Sequence, residues 1–149
     1  MVRYLKKMMG LLLSVSLAVA IAAVPVGAVE ERSSLYLSCY RAWLTPEPGA
    51  KIDVTIDVQA VDYMDDVGAI RVVIWESSDG GDNWELVRVY SSSLNPGMMT
   101  HDDYLYYDTP ISYQGVAGRQ YYSVVTAYAG DTTGSDSKTY VTHTVTAIS

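Results

Sequence analysis

The chain has 149 residues, with ten Lys and Arg against 17 Asp and Glu, a formal charge of −7, one cysteine, 13 tyrosines, three tryptophans and no phenylalanine. That balance disfavours nucleic acid and anionic membrane surfaces, whose binding needs cationic patches. A single cysteine excludes an internal disulfide, so the hydrophobic core alone has to carry the fold, which a chain of this length can do.

Residues 1–28 read as a cleavable signal-peptide helix. Arg3, Lys6 and Lys7 form a basic start, Met8 to Val24 an apolar run, and Pro25, Val26, Gly27 and Ala28 a mostly small-residue cleavage site before Val29. The run is short for a bilayer span, so a released product is expected, with tethering by an uncleaved segment as the alternative. Cleavage leaves seven Lys and Arg against 17 Asp and Glu, near −10, which suits a soluble, acidic monomer. A short charged leader, 29–33, precedes one domain, 34–149.

The domain is rich in Tyr, Trp, Val and Thr, the residues that fit a pleated surface. Ser34 to Leu44 reads as a first strand, with Leu35, Leu37 and Cys39 on one face and Cys39 taken as a small core residue. The segment 45–50, with two prolines and a glycine, reads as a turn. Lys51 to Val61 is the clearest strand: Ile52, Val54, Ile56, Val58 and Ala60 alternate with Asp53, Thr55, Asp57 and Gln59. Val61 to Gly68 reads as an acidic connection. Ala69 to Glu76 is apolar on both faces, as expected of a central strand whose outer face is partly covered.

Ser77 to Asn83 reads as a loop, Trp84 to Tyr90 as the returning strand of a hairpin, and 91–103 as the longest irregular stretch. Tyr104 to Tyr113 holds a strand whose Pro110 favours an edge. Gln114 to Gly118 is a corner. Arg119 to Ala129 is a strand with Tyr121, Ser123, Val125 and Ala127 on one face, 130–136 a hairpin loop, and Lys138 to Ile148 the closing strand. Seven strands separated by turn signals predict an all-β, antiparallel β-sandwich.

Two stretches carry resemblances. Val116 to Ala127, with Gly118, Tyr121 and alternating small and aliphatic residues after it, resembles the late-strand signature of fibronectin type III and other Ig-like sandwich domains. The resemblance implies that the Tyr121 hydroxyl bonds back to the corner backbone. The hairpin from Ile70 to Tyr90 is similar to the middle strands of that fold, while the Lys51–Val61 strand lacks the family's tryptophan. The second stretch, Ser77-Ser-Asp79-Gly-Gly81-Asp-Asn-Trp84, resembles the Asp-box of sialidases and other β-propellers, where it is a structural hairpin loop. Asp79 would accept loop N–H groups, the glycines would take positive φ, and Trp84 would fold beneath the turn, against Trp75. Taken whole, the chain resembles small secreted sandwich proteins of Gram-positive bacteria, a likeness that implies no activity.

No cofactor is implied, and no catalytic constellation stands out. Asp62, Asp65 and Asp66, with Asp102 and Asp103 if the loops meet, are weak calcium candidates, since calcium takes several oxygen ligands; a solvated loop is the plainer reading. His101 and His143 lack companions at ligand spacing and read as surface histidines. Glu76 and Glu85 bracket the hairpin, and paired carboxylates can run glycoside hydrolysis in a cleft, which one hairpin does not supply. Tyr104, Tyr106 and Tyr107, among Asp102, Asp103 and Asp108, are the binding candidates, suited to stacking on sugars or anchoring an interface; sandwich packing is their plainer role. The leading expectation is a secreted, non-enzymatic module that binds a protein or a glycan. A carbohydrate-active enzyme or accessory domain and a cell-surface assembly subunit are the alternatives.

Overall fold

The computed structural model describes residues 34–149. The expected signal-peptide helix, 1–28, and the leader, 29–33, lie outside the described residues. Seven strands run β1 (Leu37–Glu47), β2 (Lys51–Ser77), β3 (Glu85–Ser91), β4 (Met99–Gln114), β5 (Gln120–Asp131), β6 (Gly134–Val141) and β7 (Val145–Thr146), with a 3₁₀ turn at Pro96–Met98 before β4. Every pairing is antiparallel, and all seven strands belong to one curled sheet.

The sheet is continuous because β2 is continuous. The expected acidic connection at 61–68 is extended, so the two strands expected at 51–61 and 69–76 are one strand of 27 residues. Its first half pairs with β1 on one side and β4 on the other; its second half pairs with β3 and the start of β4 on one side and β5 on the other. The far side of β5 carries β6 and β7. What holds 61–68 extended is the beginning of β4, also expected to be irregular: Met64 pairs with Asp103, Val67 with Thr100 and Gly68 with Met99. A Cβ on Gly68 would run into the Met98 carbonyl oxygen, so glycine is what lets β2 pass the 3₁₀ turn.

One core lies inside the curl. Ile52, Val54, Ile56 and Val58 from the first half of β2 share it with Val67, Val72 and Ile74 from the rest of that strand, and with Tyr121, Val125 and Ala127 of β5. The inward positions are even-numbered up to Ala60, odd at Val67 and Ala69, and even again from Val72. Ladder irregularities between Gln59 and Met64, and between Ala69 and Arg71, absorb those changes; an extra residue in a strand re-aims every side chain after it.

The same device overturns the expected face of the first strand. A register shift lies between Leu37 and Cys39. Leu37 points inward, Ala42 and Leu44 take up the core positions beyond it, and Cys39 is exposed rather than a core residue, as is Leu35. Thr45, Pro46 and Glu47 stay in β1, an edge strand where proline is tolerated. The reversal is made at Gly49 and Ala50, both at positive φ. Pro110 likewise sits on an edge, since β4 pairs only with β2. The expected loop at 130–136 shrinks to Thr132 and Thr133 between β5 and β6, and the expected last strand divides into β6 and β7.

Candidate functional site

The outward face of β3, β2, β5 and β6 is assembled by register. Val89 pairs with Val73, Val73 with Val124, and Val124 with Val141. Four valines from four strands thus form one row across the sheet. On a strand these positions alternate with the core-facing ones, so the row points away from the interior. The next row is Leu86, Trp75 and Tyr122, also register partners. Leu86, Val89 and Val141 are 49%, 44% and 60% exposed.

Aromatic stacking extends this face to the hairpin. Tyr122 lies parallel to Trp75, centroids 6.1 Å apart, and meets Trp84 edge-to-face with centroids 4.7 Å apart. Tyr122 therefore stands where direct contact between Trp75 and Trp84 was expected. A groove of about 320 Å³ runs over the face, lined by Arg71, Val73, Trp75, Leu86, Val124, Thr126 and Thr139. Among the described residues no Asp or Glu lines it, and Arg71 is exposed there and forms no ion pair with any of them.

The hairpin between β2 and β3 is tied by two side chains. Ser77 Oγ donates to Asp79 Oδ1 at 2.7 Å and accepts from the Gly81 N–H at 2.9 Å; Asp79 accepts from the Asn83 N–H at 2.9 Å and from its side-chain amide at 2.7 Å. The Asn83 backbone bond first, then its amide and the Ser77 hydroxyl, hold the Asp79 carboxyl down at about 2. Gly80 and Gly81 both take positive φ.

At the base of this hairpin Tyr121 is fully buried. Its hydroxyl accepts from the Val116 N–H at 2.8 Å and donates to Glu76 Oε2. Arg119 Nη1 donates to Glu76 Oε1 at 2.5 Å. Burial first, and the bond to Glu76 second, push the Tyr121 hydroxyl up to about 12. Glu76 and Glu85 are register partners, beside a cavity of about 310 Å³ lined also by Ser78, Asp79, Asn83 and Arg119. Both oxygens of Glu76 are engaged by the corner, which makes it a buried anchor.

The tyrosine cluster divides. Tyr107 is 63% exposed, and Tyr104 is partly exposed and meets Tyr63 edge-on at 5.2 Å. Tyr106 is only 5% exposed, and its hydroxyl donates to the Gly97 carbonyl at 2.5 Å. It packs in the core and leaves the set of accessible rings, and burial pushes its hydroxyl far up.

Asp62, Asp65 and Asp66 are strung along β2, where neighbouring side chains point to opposite faces. Asp66 takes His101 Nδ1 at 2.6 Å, and Asp103 accepts the Tyr104 N–H. Among the described residues no three His, Cys, Asp or Glu side chains converge on a point a metal ion could occupy. Asp102 and His143 are exposed.

The valine row escaped sequence reasoning because its members come from four strands. The one available signal was the apolar pattern on both faces of Ile70 to Trp75. Trp43, on the outward face of β1, carried no such signal. The chain matches no protein-family model, no curated protein and no solved structure.

Proposed function

We propose that this protein is an exported, non-enzymatic binding module that docks a protein partner on the outward face of β3, β2, β5 and β6. The observation that carries the reading is the in-register row Val89–Val73–Val124–Val141 beside Leu86, Trp75 and Tyr122. Val73 at the centre of the row is covered by its neighbours, while Leu86, Val89 and Val141 around it are exposed, and apolar surface gathered in this way marks interaction sites. Trp75, Tyr122 and Arg71, which stand beside the aliphatic row, are of the residue types enriched among interface hot spots. Export rests on the basic, apolar and small-residue segments of 1–28.

The occupant is a protein surface that pairs an apolar patch with a carboxylate. Arg71 is the one charge among the described residues that line the groove. A second copy stacked face to face would bury Arg71 against a surface with no acid to meet it, and burying an unpaired charge costs several kcal/mol. A partner presenting Asp or Glu there gains a charge-assisted, bidentate pair instead.

The supporting fold reading is a fibronectin type III-like sandwich. Its two layers would be β1, the first half of β2 and β4 against β3, the second half of β2, β5 and β6, with the link between the second and third strands of that fold drawn straight. In its favour are those strand neighbours, the shared core and the bond from Val116 to the Tyr121 hydroxyl. The Ser77–Trp84 segment is an Asp-box-like hairpin, on the strength of the Ser77 and Asp79 bonds.

Selection of a displayed random-peptide library on the native protein tests the docking face. Enriched peptides should combine aromatic or aliphatic residues with Asp or Glu. They should bind Leu86→Asp and Arg71→Glu at least about tenfold more weakly, because one substitution buries an unpaired charge in the contact and the other sets two carboxylates against each other. Failure to enrich any peptide, or peptides indifferent to both substitutions, overturns the proposal.

A further inference from the structure

The other half of the sheet has an outward face of different chemistry. On it Trp43 pairs with Thr55, Arg41 with Asp57, and Asp57 in turn with Tyr107. β1 and β4 flank β2, each about 4.8 Å from it, yet the rings of Trp43 and Tyr107 come within 6.0 Å of each other, tilted by 46°. The two rings lean toward one another across β2, which accounts for the burial of Thr55 and Asp57 on a face that alternation alone would leave wet.

The polar groups between and beside the rings are held in place. Arg41 Nε donates to Asp57 Oδ2 at 2.7 Å, and its guanidinium lies 5.8 Å from the Trp43 ring centre. Thr55 and Thr109 share a hydroxyl–hydroxyl bond of 2.9 Å. Because the ion pair uses Nε and Oδ2, the two terminal guanidinium nitrogens and Asp57 Oδ1 have no partner among the described hydrogen bonds. Donors and an acceptor thus stand side by side next to a tilted pair of aromatic rings.

We propose that this face is a second binding site, for a neutral oligosaccharide of pyranose rings, with Trp43 and Tyr107 as its stacking platform and Arg41 and Asp57 as its hydrogen-bonding groups. A pyranose with equatorial hydroxyls has an apolar C–H face, which suits an aromatic ring, and a hydroxylated rim. Two neighbouring hydroxyls can satisfy the pair together, one donating to the carboxylate and one accepting from the guanidinium. The fixed polar groups lower the ordering cost of binding. Charge selects for a neutral sugar: on this face Asp57 is paired with Arg41 and Asp53 with Lys51, so among the described residues no unpaired cation is left there for an acidic sugar, Asp108 adjoins the face, and the chain as a whole carries −7. The site shares no residue with the apolar docking face, so either proposal stands without the other.

Affinity electrophoresis in native gels tests it, with hydroxyethyl cellulose, xyloglucan and galactomannan as the probes. At least one should retard the protein. Trp43→Ala and Tyr107→Ala should weaken that retardation tenfold or more, while Tyr107→Phe, which keeps the ring, should retain it. Leu94→Ser, at an 84% exposed position away from the face, should leave it unchanged. Tyr107→Ala guards against a Trp43→Ala protein that fails to fold, because Tyr107 is largely exposed and circular dichroism should stay native. No retardation by any of the three polysaccharides, or equal retardation of the Tyr107→Ala protein, overturns the proposal.

Discussion

Tyr121 shows how much one hydroxyl can join. It accepts the Val116 N–H of the corner and donates to Glu76, which also holds Arg119, so it ties the corner before β5 to the end of β2. Tyr121→Phe keeps the ring in the core and removes both bonds, leaving the Val116 amide and the buried Glu76 carboxylate each short of a partner. Leaving such groups unsatisfied costs about 1–3 kcal/mol. Urea unfolding should show a lower midpoint with an unchanged slope, because the surface exposed on unfolding stays the same. Cys39 makes the opposite point at this scale. Its chemistry and the alternation around it read as core, and one register shift places it outside.

Among the elements, the β2–β3 hairpin owes its shape to polar side chains in the loop as well as to pairing in the ladder. Asp79 has its carboxyl lowered from 3.8 to about 2 by Asn83 and Ser77. A lowered folded-state value means that the ionised form is the one the loop holds. Its contribution is fully present above about 3.8 and disappears as the pH falls through about 2. NMR titration should therefore show the Asn83 amide shifting with an apparent midpoint near 2, and Asp79→Asn should abolish that transition. A midpoint near an ordinary aspartate would contradict the bonding described. The eight-residue pattern Ser77 to Trp84 made this hairpin legible in advance. The length of β2 was not legible, because nothing between Val61 and Gly68 alternates cleanly. Those residues are extended because the start of β4 supplies the ladder beside them.

For the molecule as a whole, the curl separates two outward faces with different chemistry. One is apolar with a lone arginine, and the other combines aromatic rings with acids and an arginine. Among the described residues no carboxylate lines the groove beside Arg71, which predicts a protein that does not stack on itself. Sedimentation velocity should give a monomer across the micromolar range, and Arg71→Ala should remove the obstacle and promote dimers. A wild-type dimer through this face would contradict the reasoning that assigns it to another protein.

Composition and local pattern by themselves determined that this chain is all-β, where its main strands lie, that Pro110 belongs on an edge, and that Ser77 to Trp84 turns. Each of these depends on neighbours within a few residues, through alternation, fixed φ or a short-range hydrogen bond. The burial of Tyr106, the exposure of Cys39, the fusion of two strands into β2 and the row Val89–Val73–Val124–Val141 were decided only by the tertiary structure. They follow from register between segments tens of residues apart, and a shift of one position in a strand turns every side chain to the other face.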